Sequence, residues 1–138
     1  MTDKPVPEPT PEALFFWERA TAGELWIQRC TTTGKAFFYP RTYSPFVTGG
    51  PVEWFRASGD ASLYSYIIDH RPPPGFGPGP NPIAVVELAE GPRMMTSLVD
   101  VDPVPEELIL DMPLRVDFEE RGDWAVPVFR PAAQEAAA

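Results

Sequence analysis

The chain carries one histidine, His70, and one cysteine, Cys30, so a Ser-His-Asp or Cys-His arrangement would have to use His70. Asp69 adjoins His70, but neighbours on a strand point to opposite faces, so it cannot orient the ring. Nothing in the sequence brings Cys30 to His70. His70 with Arg71 therefore reads as the structural or partner-contacting end of a strand rather than as a catalytic centre. The acidic residues Asp100, Asp102, Glu106, Glu107 and Asp111 lack the Asp-x-Asp-x-Asp-Gly spacing and distal Glu of a calcium loop; they read as a solvated acidic face. The cations are left: Arg29, Lys35 and Arg41 in one segment, Arg71 and Arg93 further on. Each can meet a phosphate or an acidic rim on a partner, or simply keep an exposed segment soluble. These residues imply binding, not turnover.

The charge is unevenly spread. The net charge is −9, which argues against nucleic acid as a partner, since binding a polyanion begins with Lys and Arg neutralising phosphates. From Arg19 to Arg71 there are six basic and four acidic residues, a net of +2, whereas Glu87 to Asp123 holds three basic and eleven acidic, a net of −8. An anionic partner meets least resistance at the N-terminal half. The apolar stretches are strand-length, so no membrane span is expected, and no signal peptide follows Met1. A single cysteine rules out an internal disulfide and suits a reducing compartment. The expectation is a soluble, cytoplasmic protein.

Proline is the compositional outlier at 19 residues, clustered in a leader (Pro5, Pro7, Pro9, Pro11) and in a loop from Pro72 to Pro82. Both should be irregular or polyproline-like. The loop holds no glycine-rich phosphate fingerprint, and its prolines remove donors that an anion cradle needs. Phe76, its one large apolar side chain, either anchors in a partner pocket or folds back on its own domain.

Residues 1–9 and 132–138 read as disordered leader and tail. Thr10-Pro11 is a helix start, with a capping hydroxyl and proline at the first helical position, and Gly23 is the stop. Leu14, Phe15, Phe16 and Trp17 cannot all face one side of so short a helix, so part of this aromatic surface must contact another element or another chain. A strand is expected over 24–30 and a short one over 37–39. Further strands follow over 52–58, 61–71, 83–88, 93–99, 114–118 and 124–129, with a short helical turn over 102–111. The fold class is mainly β. An N-terminal helix and an irregular segment occupy 10–50, followed over 51–131 by a five- or six-stranded barrel of OB type.

Several stretches, in order and spacing, carry a resemblance. They are Phe16-Trp17-Glu18, Glu24-Leu25-Trp26-Ile27-Gln28-Arg29-Cys30, Tyr39-Pro40-Arg41, Tyr64 through Phe76, Val85-Val86-Glu87-Leu88, Glu90 through Met94, and Val128-Phe129-Arg130-Pro131. Together, from Leu14 to Pro131, they resemble the acyl-CoA-associated family in which a rubredoxin-like zinc ribbon is fused to an OB-fold. The resemblance implies a non-catalytic helper that stabilises a thiolase-like aldolase, an acyltransferase or a hydratase-like enzyme acting on CoA thioesters. It implies a hetero-oligomer, a share in shaping the acyl-CoA channel, and a place in steroid side-chain or related breakdown. Trp17, Arg29, Lys35, Arg41, His70, Arg71, Phe76 and Arg93 are the candidate contacts with acyl-CoA or with the partner. CoA thioester would be a ligand of the complex, and no cofactor is expected on this chain.

The family's ribbon carries two Cys-x-x-Cys knuckles around one zinc. Here the corresponding positions are Cys30, Thr33, Ser44 and Val47. One thiol, two hydroxyls and a valine cannot make a structural zinc site, so a contribution on the order of 10 kcal/mol is missing. The expectation is that a partner surface holds this degenerate ribbon, with packing by Phe37, Phe38, Tyr39, Tyr43 and Phe46 as the other route. The alternative functional reading is a stand-alone acyl-CoA-binding or acyl-CoA-processing protein using Arg29, His70 and Arg71.

Overall fold

The computed structural model describes residues 4–132. Residues 1–3 of the expected leader and 133–138 of the expected tail lie outside these. A single 3-10 turn, Pro11–Ala13, runs into helix α1, Leu14–Thr21. Proline occupies the first helical position as expected, but the Thr10 side chain makes no capping bond; its carbonyl instead accepts the Ala13 N–H at 3.0 Å. The helix closes at Gly23, whose φ of +83° only glycine adopts readily. There the Glu24 N–H reaches back to the Arg19 carbonyl at 2.9 Å, the long bond of a Schellman cap.

Eight strands follow: β1 (Trp26–Cys30), β2 (Ala36–Phe37), β3 (Val52–Arg56), β4 (Asp60–Asp69), β5 (Asn81–Leu88), β6 (Arg93–Ser97), β7 (Pro113–Arg121) and β8 (Trp124–Pro131). They form two antiparallel sheets, a ribbon sheet of order β2-β1-β3 and a barrel sheet of order β6-β5-β4-β7-β8. The strand expected over 52–58 as part of the barrel is thus corrected: β3 pairs with β1 along Trp26↔Arg56 to Cys30↔Val52. Five strands remain for the barrel. It nearly closes where Leu98 bridges Phe129 in parallel and the Val99 N–H donates to the Phe129 carbonyl at 2.8 Å. Mainly β with an OB-type barrel is the architecture found. The segment over 102–111 forms one turn around Val104–Leu108, where the Leu108 and Glu107 N–H groups both reach the Val104 carbonyl.

The barrel's alternation is clearest in β5, where Pro82, Ala84, Val86 and Leu88 point inward and Ile83, Val85 and Glu87 outward. One core serves both sheets: Leu25 and Ile27 of the ribbon side cluster with Phe16 and with Leu63, Val86, Leu114 and Phe129 of the barrel. Gly59 makes the crossing between sheets possible. Its φ is +87° and a Cβ there would lie 2.6 Å from Val116 Cγ1, so the β3–β4 corner can pass flush against β7 only without a side chain. No helix among the described residues is long and apolar enough to cross a membrane.

Candidate partner-contact surface

The four bulky residues of α1 divide between three contacts. Phe16 is buried in the shared core. Phe15 turns to the ribbon sheet, edge-on to Trp26 at 5.5 Å and tilted against Trp54 at 4.9 Å between ring centroids. Trp17 packs edge-on against Phe16 and donates its Nε1–H to the Tyr39 hydroxyl at 3.1 Å. Leu14 stays exposed. The surplus aromatic surface of the helix is largely spent within the chain.

The ribbon's two loops are tied down by polar groups. Gln28, only 3% exposed, donates from Nε2 to the Arg41 carbonyl at 3.0 Å and accepts the Arg41 N–H on Oε1 at 2.7 Å. Ser44 Oγ accepts the N–H groups of Phe46 at 2.9 Å and Val47 at 3.3 Å. The Cys30 thiol is buried. Hydrogen bonds from the side chains of Ser44 and Thr33, joined by the backbone N–H groups of Thr33 and Thr32, outweigh its desolvation and draw it down from 9.0 to about 7. Cys30 thus finds its partners among the knuckle residues and not at His70, which lies exposed beyond the end of β4.

The expected contact residues fall into separate places. Arg29 and Lys35 line one recess with Phe46, Phe55 and Gly91. Arg29 is already committed, with Nε on Glu53 Oε1 at 2.7 Å and its guanidinium over the Phe55 ring at 4.3 Å. Lys35 Nζ lies over the Phe46 ring at 5.5 Å. Arg41 is held by its backbone and its side chain is exposed. Trp17 lines a second recess with Tyr39 and the leader residues Pro5 to Glu8. Arg71 is exposed, its N–H held by Asp69 Oδ1 at 3.0 Å. Arg93 pairs with Glu87 at 3.1 Å and stacks on Tyr64 at 3.7 Å. Phe76 folds back onto its own domain, between Lys4 Nζ at 5.1 Å and the Arg121 guanidinium at 5.4 Å. There it borders a shallow groove of about 310 Å³ with Pro73, Ile83, Met95 and Val126. No catalytic constellation emerges from these positions.

Two features escaped the sequence reading. One is Gln28, whose role depends on a loop thirteen residues away. The other is the outward face of β4-β5-β6, where cross-strand neighbours Ile67↔Ile83 and Val85↔Met95 leave Ile67 60% and Met95 71% exposed. The period-2 pattern of β5 (Ile83, Val85) carried that signal, since an apolar residue at both parities marks a strand with two apolar faces. On the ribbon, Tyr39, Tyr43 and Phe46 are also exposed, and residues 31–50 contain no acidic residue at all.

A helix and a three-stranded ribbon sharing a core with an OB barrel define a ribbon–OB protein. The sequence comparisons agree: residues 17–43 match the rubredoxin-like zinc ribbon domain of ChsH2 and residues 54–119 its C-terminal OB-fold domain. The chain belongs to this ChsH2/DUF35 family. It is 33% identical to a probable enoyl-CoA hydratase alpha subunit of Thermomonospora curvata, over 96% of this chain and 41% of that one. It is 30% identical to the 3-oxo-4,17-pregnadiene-20-carboxyl-CoA hydratase alpha subunit of Mycobacterium tuberculosis, over 91% of this chain and 39% of that one. It therefore spans about two fifths of these two relatives. A DUF35 domain-containing scaffold protein of Pyrococcus furiosus is 33% identical over 64% of this chain and 69% of its own length. Among solved structures, the chain superposes on one described as the Ltp2-ChsH2(DUF35) aldolase with a TM-score of 0.80 and 33% identity, covering 92% of this chain and 99% of that one. The zinc that the ribbon family implies does not fit here, because the four knuckle positions offer one thiol, two hydroxyls and a valine.

Proposed function

We propose that this chain is a non-catalytic accessory subunit that binds and stabilises an enzyme acting on CoA thioesters, a thiolase-like aldolase in the first instance. The observation that carries this reading is the structural likeness over nearly the whole chain to the ChsH2 DUF35 chain of an aldolase complex. The scaffold name of the Pyrococcus relative favours a non-catalytic role, as does the scatter of the candidate residues. The hydratase relatives favour CoA thioesters as the substrate class of the partner, and the pregnadiene-carboxyl-CoA hydratase favours steroid side-chain breakdown as the setting.

The uncovered apolar residues supply the contact surface. Tyr39, Tyr43 and Phe46 on the ribbon and Ile67 and Met95 on the barrel face lie open, and aromatic residues are the side chains that anchor protein interfaces. CoA thioester is then a ligand of the complex, since Arg29, the cation best placed in a recess, is engaged by Glu53.

Affinity purification of the tagged chain from its native cell extract, with mass spectrometry of the co-purifying chains, tests the reading. A thiolase-like or hydratase-like enzyme in near-stoichiometric amount is the expected result. A partnerless chain that binds CoA thioesters alone would replace the proposal with a stand-alone acyl-CoA-binding protein.

A further inference from the structure

We propose that the outer edge of β3 is the seat for an extended segment of the partner enzyme, which adds a fourth strand to the ribbon sheet; this rests on the accessory-subunit reading above. β3 is the outer strand of that sheet and pairs on one side only, with β1. Its ladder is bracketed by the Ala57 N–H on the Leu25 carbonyl at 2.8 Å and the Thr31 N–H on the Pro51 carbonyl at 3.1 Å. Bonding alternates along an antiparallel pair. Glu53 and Phe55 therefore bond to β1, and the peptide groups of Val52, Trp54 and Arg56 point away from it. Among the described residues, no turn or loop backbone reaches these three. They form a row of donors and acceptors at strand spacing, which is what an added strand satisfies.

The fold's other edges are short or closed. β2 is two residues long. β6 is drawn against β8 by the Leu98–Phe129 bridge and by the buried Thr96 hydroxyl, which donates to the Pro127 carbonyl at 3.1 Å. Proline and bulges commonly blunt an open edge, yet β3 contains neither and runs in unbroken register from Trp26↔Arg56 to Cys30↔Val52. A strand laid along it meets an aromatic ring on each face: Trp54, packed on Phe15 at 4.9 Å, and Phe55, under the Arg29 guanidinium at 4.3 Å. Phe55 also lines one recess with Phe46, so the edge continues the exposed aromatic surface of the ribbon. Charge selects the occupant. Glu24 to Arg56 holds four basic and two acidic residues, a net of +2, and the Arg56 side chain, 60% exposed, reaches Glu24 only at 3.9 Å. A second copy would bring two such surfaces together, whereas an enzyme segment flanked by Asp or Glu complements this one.

The test uses the full chain and the enzyme that co-purifies with it. Amide exchange is run on the free chain and on the complex, then quenched and read by NMR of the released chain. The expected result is an alternating pattern: Val52, Trp54 and Arg56 exchange freely in the free chain and at least about tenfold more slowly in the complex, while Glu53 and Phe55 are protected in both. An enzyme that binds without protecting these three amides overturns this inference and leaves the accessory-subunit reading standing; a chain that captures no enzyme overturns both. Arg56→Pro removes one outward N–H at a position where an edge strand tolerates proline, and Arg56→Ala removes the same side chain but keeps the N–H. The proline variant should bind the enzyme at least about tenfold more weakly than the alanine variant; equal affinities overturn the added strand. Should Arg56→Pro lose its circular dichroism, the exchange pattern decides. Sedimentation of the free chain should show a monomer, and a dimer that protects the same three amides gives the edge to a second copy and overturns the enzyme as occupant.

Discussion

Gln28 shows how a single buried carboxamide can stand in for a strand neighbour. β1 pairs with β2 only from Gln28 to Arg29, and beyond that point the Gln28 side chain takes over, meeting both the N–H and the carbonyl of Arg41. Gln28→Leu fills the same space but strands both backbone groups, at about 1–3 kcal/mol each. A Tm lower by about 10 °C is expected by thermal denaturation; a change within about 2 °C would mean that water replaces the amide. Cys30 is a similar case, a buried thiol whose neighbours are two hydroxyls and two peptide N–H groups.

Three irregular elements meet at one end of the barrel. Lys4 of the leader bonds Glu119 of β7 at 2.9 Å, Arg121 bonds the same carboxylate at 3.1 Å, and Phe76 of the proline loop lies between the two cations. Val6 sits against Gly122 in the β7–β8 turn. Partial burial raises the Glu119 carboxyl, but the Lys4 and Arg121 hydrogen bonds and charges outweigh it and leave it below its ordinary 4.5. For a carboxyl lowered on folding, the stabilisation is complete above the ordinary value and is lost as pH falls through the folded one. Wild type should therefore melt above Lys4→Met at neutral pH, with the gap closing below about pH 4. A gap unchanged down to pH 3 would show that the leader is held by its apolar contacts alone.

Across the whole molecule, charge and apolar exposure are arranged unevenly. The ribbon loops carry Lys35 and Arg41 among exposed aromatics with no acidic residue over 31–50, whereas the stretch from Glu87 to Asp123 is strongly acidic. Opposite potentials on one small domain orient it as it meets a charged partner. Tyr43, at 62% exposure, can be truncated with little loss inside the fold. Tyr43→Ala combined with Phe46→Ala should leave circular dichroism unchanged and weaken the complex with the co-purified enzyme at least about tenfold. Wild-type affinity in that variant would move the interface to the Ile67–Met95 face.

The sequence by itself determined the mainly β class, the helix end at Gly23, the barrel strands from β4 to β8 to within a few residues, and the loss of three metal-binding thiolates. These rest on local chemistry: alternation of side chains along a strand, the left-handed conformation of glycine, and the coordination demands of zinc. Tertiary structure alone decided that β3 belongs to the ribbon sheet, because an antiparallel partner is chosen by register across residues distant in sequence. It alone placed Phe76 between Lys4 and Arg121 and aimed Gln28 at the Arg41 backbone. Both depend on segments far apart in sequence, which meet only once the shared core of ribbon and barrel sets them side by side.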